Sequence, residues 1–137
     1  MILQLSNEQI DLIIKHVKKT YPVEACGLLF GQLTKEKAIV KKVVLVRNVL
    51  NSTVNFEIDP EEFLEKLLRA EEEGMELIGF FHSHPAAPHP SSTDIKYMKL
   101  WPEKIWLIVS SLNFRMKAYQ TIDEESREVR LELQSSV

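Results

Sequence analysis

The sequence has a single cysteine, Cys26, only four glycines and no excess of positive charge, and these scarcities narrow its class. One cysteine excludes an internal disulfide and any zinc finger or ribbon, so a metal site here must be built mostly from histidine and carboxylate. With 17 Lys and Arg against 20 Asp and Glu, a net charge of -3 and a pI near 5.8, nothing electrostatic points to nucleic acid or an anionic membrane as a partner. No apolar run approaches the roughly 18 residues of a membrane span. Met1 to Leu5 lack the charged region, long apolar run and cleavage site of a secretory leader, and a cytoplasmic location is expected. Neither His-Glu-x-x-His nor Pro-Cys-x-x-Cys occurs, which sets aside thermolysin-like proteases and zinc nucleobase deaminases.

What is present reads as an ordinary globular chain: 137 residues, 45% hydrophobic and 27% charged, enough for one domain over 1–137 with a real core. Ser6 and Gln9 have capping-box spacing, and Ile10, Ile13, Ile14 and Val17 follow at helical intervals, predicting a helix from about 7 to 20. Ala25 to Gly31 and Ala38 to Val46 read as strands. The alternation of Val54, Phe56 and Ile58 predicts another. Asp59-Pro60-Glu61-Glu62 starts a second helix, with Phe63, Leu64, Leu67 and Leu68 as its buried stripe and Gly74 at its end. Glu76 to His84 forms a strand running into two histidines. Three prolines in residues 85–90 enforce a stiff loop, and Ser91 with Asp94 opens a short helix ending near Trp101. Strands at about 104–110, 114–121 and 129–133 complete the chain.

Side chains two apart on a strand share a face, so His82 and His84 present both imidazoles to one side, with Ser83 opposite. Asp94, at the start of the following helix, can add a carboxylate oxygen. Two histidines and one carboxylate, leaving a fourth position to water, form a catalytic rather than a structural zinc arrangement. Glu24 is the candidate general base, able to take a proton from water and hand it to a departing amine. Ser91 can donate a hydrogen bond to an oxyanion.

Together, Glu24, His82-Ser83-His84-Pro85 and Ser91-Ser92-Thr93-Asp94 resemble the motif of the JAMM, or MPN+, metalloproteases. Pro22 to Gly31 is similar to that family's glutamate-bearing strand entry, and Phe56-Glu57-Ile58-Asp59-Pro60 to its helix start. Nine residues separate His84 from Asp94, one fewer than in the family's usual form, while Ser91 keeps its offset from Asp94. The resemblance implies one catalytic zinc ion on His82, His84 and Asp94, with Glu24 as acid/base and Ser91 as oxyanion donor. It also implies an α/β fold of MPN/JAB type, related to the cytidine deaminases: a curved mixed sheet packed with helices. The expected activity is cleavage after the C-terminal tail of a ubiquitin-like protein, the tail adding as a strand to an exposed sheet edge beside the metal. Processing of a sulfur-carrier protein is the alternative, and a homodimer is in keeping with the family. A non-catalytic MPN scaffold is disfavoured by the complete five-residue set.

The other conspicuous residues have simpler readings. His16 is expected on the surface of the first helix, His89 as an exposed loop residue and Cys26 as a small buried hydrophobe. Phe80, Phe81, Trp101 and Trp106 are expected in the core.

Overall fold

The first helix, α1 (Asn7–Thr20), begins where the sequence predicts: the Ser6 side chain accepts from the Gln9 amide, and the Gln9 side chain accepts from the Ser6 amide. Its inward face buries Ile13 and Val17. The computed structural model describes residues 1–134. Over that span α1 follows β1 (Ile2–Leu5) and precedes β2 (Cys26–Leu33), β3 (Lys37–Val46), α2 (Pro60–Glu72), β4 (Glu76–His84), α3 (Ser92–Leu100), β5 (Ile105–Ser110), β6 (Met116–Ile122) and β7 (Glu125–Leu133). None of these helices is long and apolar enough to cross a membrane.

The strands close into a barrel in the order β1-β3-β2-β4-β5-β6-β7, where a curved sheet was expected. The sheet is mixed as expected, with β4 and β5 parallel and β2 antiparallel to both β3 and β4. Closure depends on β1, a strand the sequence reading missed. It pairs in parallel with β3 on one side and with β7 on the other, Ile2 lying opposite both Lys37 and Arg130. β1 covers only the Lys37–Ile39 part of that edge of β3, and among the described residues no strand pairs with β3 on that side beyond Ile39.

Two clusters of buried side chains occupy opposite faces of the central strands. Leu29, Phe81, Ile105 and Leu107 join Ile13 and Val17 of α1, whereas Leu28, Phe30, Phe80, Trp106 and Ile108 join Ala70 of α2 and Met98 of α3. The alternation along each strand is what separates them. Close approach of β4 to its neighbours depends on missing side chains: a Cβ at Gly79 would strike the Ile105 carbonyl, and one at Gly27 the Phe81 ring.

Several expectations change. No strand forms over 54–58; Asn55 and Glu57 of that segment are tied to the side chain of Asn48 rather than to a neighbouring strand. Leu64 and Leu68 of α2 are 54% and 53% exposed, so the buried stripe is narrower than predicted. Trp101 is not core but 38% exposed, at the end of α3.

Candidate metal centre

His82 and His84 close β4, and the alternation that puts Phe80 in the second core cluster sends His82 to the same face. His82 is fully buried, with Phe56 stacked on its ring at 4.7 Å and Trp106 edge-on at 6.2 Å. Asp94 sits in the first turn of α3 and is 7% exposed. One donor atom from each of His82, His84 and Asp94 lies within 4.8 Å of the other two, and His82 Nε2 is 3.1 Å from Asp94 Oδ2. Three separate ligand atoms thus converge where a single cation can bridge them.

Ser91 caps α3 and fixes Asp94. Its Oγ accepts from the Asp94 amide at 3.0 Å, and its amide donates to Asp94 Oδ2 at 2.9 Å.

Glu24 lies just ahead of β2. Cys26 pairs with His82 across the β2–β4 ladder, and the Ser83 amide donates to the Ala25 carbonyl at 3.0 Å. The same register leads Glu24 towards His84, on the face that it shares with Cys26. Glu24 is 4% exposed.

The electrostatics suit these positions. Burial pushes the Glu24 carboxyl up to about 7, with the His82 charge opposing and the Asp94 charge adding to the rise. Burial also tends to raise Asp94, but the hydrogen bond and charge of His82, together with two hydrogen bonds from Ser91, outweigh it and leave the carboxyl below its usual range. His84 is lowered, chiefly by burial and then by His82, which favours the neutral imidazole that a cation requires. An ionised carboxylate and a neutral imidazole within reach of one point are the donor set that zinc takes.

A family model described as prokaryotic homologs of the JAB domain matches residues 6–123. The chain belongs to the prokaryotic JAB family. A desampylase of Pyrococcus furiosus is 51% identical over 98 residues, covering 71% of this chain and 66% of that protein. A desampylase of Haloferax volcanii is 35% identical over 133 residues, covering 93% of each. A CysO-cysteine peptidase of Mycobacterium tuberculosis is 26% identical over 127 residues, covering 89% of this chain and 84% of the peptidase.

Within this JAB chain two supporting residues escaped the sequence reading. Ser83, between the histidines, turns away from them and accepts from the Ala25 amide at 2.9 Å, fastening the Glu24 segment to β4. Asn48 is 7% exposed; its amide donates to the carbonyls of Glu24 and Asn55, and its Oδ1 accepts from the amides of Leu50 and Glu57. It thereby joins the Glu24 segment to the one carrying Phe56. The clue for Ser83 was the forced alternation of His-Ser-His; for Asn48 there was none beyond its place at a strand end.

The remaining singled-out residues separate cleanly. Cys26 is fully buried, as expected, and burial with the Glu24 and Glu62 charges pushes its thiol up to about 12. His89 is exposed in the loop, its ring turned to Tyr119 and not to the three converging donors. His16 is not a plain surface residue: its Nε2 is enclosed without a hydrogen-bond partner, and its ring meets Phe81 edge-on at 6.3 Å.

Proposed function

We propose that this chain is a zinc-dependent peptidase or isopeptidase that cleaves after the C-terminal tail of a ubiquitin-like modifier protein. The observation that carries the reading is the convergence of His82, His84 and Asp94 to within 4.8 Å on the face that also holds Glu24. The names of the desampylase relatives support the substrate class.

In this reading His82, His84 and Asp94 hold one zinc ion. Zinc so held supplies Lewis acidity, polarising the scissile carbonyl and making water acidic enough to attack near neutral pH. Glu24 takes the proton of the attacking water on its carboxylate and delivers it to the departing amine, a role suited to a group poised near 7. Ser91 Oγ–H donates to the oxyanion, a contact worth about 3 kcal/mol of barrier in comparable sites. Phe56 and Trp106 keep solvent from His82.

An apolar groove of about 380 Å³, lined by Phe56, Ile58, Phe63, Phe80, Tyr97 and Trp101, opens beside the centre. Phe56 walls this groove and also stacks on His82, so an extended tail lying there leads its last carbonyl towards the donors.

A second reading, processing of a sulfur-carrier protein, draws on the CysO-cysteine peptidase match. One experiment tests both: measure zinc content and cleavage of ubiquitin-like and sulfur-carrier C-terminal fusions by the purified protein and by Asp94→Asn. Zinc-dependent release from one fusion class, abolished in Asp94→Asn, is expected. A zinc-loaded protein that cleaves neither overturns both readings.

A further inference from the structure

The loop from Pro85 to Pro90 delivers Ser91 and Asp94 to the histidines, yet it has few means of holding itself in place. Pro85, Pro88 and Pro90 have no amide hydrogen to donate, so half of its backbone donors are missing. The support comes from across the fold. Tyr119, on β6, is 8% exposed and belongs to the core cluster of Met98, Trp106 and Ile108. Its hydroxyl is 3.2 Å from the carbonyl oxygen of Pro88 and 3.1 Å from Nδ1 of His89.

The chemistry of these two contacts fixes their direction. A carbonyl only accepts, and a phenol has one proton to give, so Tyr119 O–H donates to Pro88 and the His89 Nδ1–H donates to the Tyr119 oxygen. Pro88 is buried, and the His89 amide closes a tight turn on the Ala87 carbonyl at 2.7 Å. On its other side the loop meets the metal centre: the His89 carbonyl accepts from His84 Nε2 at 3.1 Å.

We infer that Tyr119 is a positioning residue for the metal centre, its hydroxyl clasping Pro88 and His89 so that Ser91 and Asp94 reach His82 in a fixed geometry. The inference rests on the metal-centre reading above, and it concerns a residue that touches neither metal nor substrate. Tyr119→Phe keeps the ring in the core and removes only the clasp.

The test pairs two measurements on the parent, Tyr119→Phe and His89→Ala proteins. Zinc affinity, from competition with a chromophoric chelator, should fall roughly 10- to 100-fold in Tyr119→Phe, the usual cost of losing a group that orients ligands. His89→Ala, which loses one of the two bonds, should fall less, and the double variant no further than Tyr119→Phe. In the metal-free proteins, amide exchange at His89 and Ser91 should quicken on the order of tenfold in Tyr119→Phe while β5 stays as protected as in the parent. Unchanged exchange in the loop, or a uniform quickening that includes β5, overturns the clasp. Parent-like zinc affinity in Tyr119→Phe overturns its bearing on the centre. A parent that takes up no zinc fails the metal reading instead, and loop exchange then decides the clasp by itself.

Discussion

Phe56 lies face to face with His82, ring centroids 4.7 Å apart and planes 22° from parallel. The contact gives a wholly buried imidazole an apolar wall on one side while its Nε2 faces Asp94 on the other, so the ring has one useful orientation. Phe56→Ala should free the ring to tilt. Zinc affinity is expected to drop roughly tenfold, as when other orienting groups are removed, read by chelator competition; an unchanged affinity would show that the strand alone orients His82.

Glu24→Gln keeps the shape of the side chain and removes its basicity. Zinc content should match the parent, and kcat on a tail fusion should fall by about 10²- to 10⁴-fold, the usual share of a positioned acid/base. Steady-state kinetics with metal analysis on the same preparation decides it: a variant as fast as the parent takes Glu24 out of the mechanism.

In the metal-free protein Glu24, His84 and Asp94 tie stability to pH. Glu24 holds its proton up to about 7 in the folded chain against 4.5 for an unperturbed carboxyl. Between those values the folded state binds more protons than the unfolded one, so stability from this group falls as pH rises through the window and is flat above it. His84, lowered in the fold, pulls the other way below its ordinary 6.5. Asp94, lowered as well, loses its contribution only as pH drops below the ordinary 3.8. The difference between parent and Glu24→Gln isolates the first effect. Denaturant titrations from roughly pH 5 to pH 8 should show the variant gaining on the parent by on the order of 3 kcal/mol.

Ser83→Ala should leave the metal ligands in place and loosen the Glu24 segment. The buried Ala25 amide loses its acceptor, which costs about 1–3 kcal/mol. Urea unfolding should register that loss, and kcat should fall while zinc content holds. A variant with lower zinc content and unchanged kcat per bound ion would assign Ser83 to the histidines instead.

The parts of this molecule that local rules govern were legible in the sequence. Capping boxes at Ser6 and Ser91 marked the starts of α1 and α3, and the two-residue period of a strand put His82 and His84 on one face. The parts set by distant partners were not. β1 is only four residues long and becomes a strand because β3 and β7 flank it. Val54, Phe56 and Ile58 alternate as a strand would, yet Asn55 and Glu57 bond to the Asn48 side chain, Val54 is exposed, and Phe56 and Ile58 serve the groove while Phe56 also meets His82. Leu64, Leu68 and Trp101 were read as core because hydrophobicity reports what a residue prefers and not what covers it. Ser83 meeting Ala25, and Tyr119 meeting His89, join residues far apart along the chain, which no spacing rule reaches.

The pairing of Ile2 with Arg130 ties the beginning of the described chain to its last strand. Arg130 leaves the ribosome long after Ile2 and after His82, His84 and Asp94, so these three side chains emerge before the ring around them can be sealed. Contacts of such separation are slow to form. Until β7 arrives, β1 and β6 each present a bare row of amides and carbonyls, and the newborn protein passes through an interval in which it is most open to pairing with its neighbours.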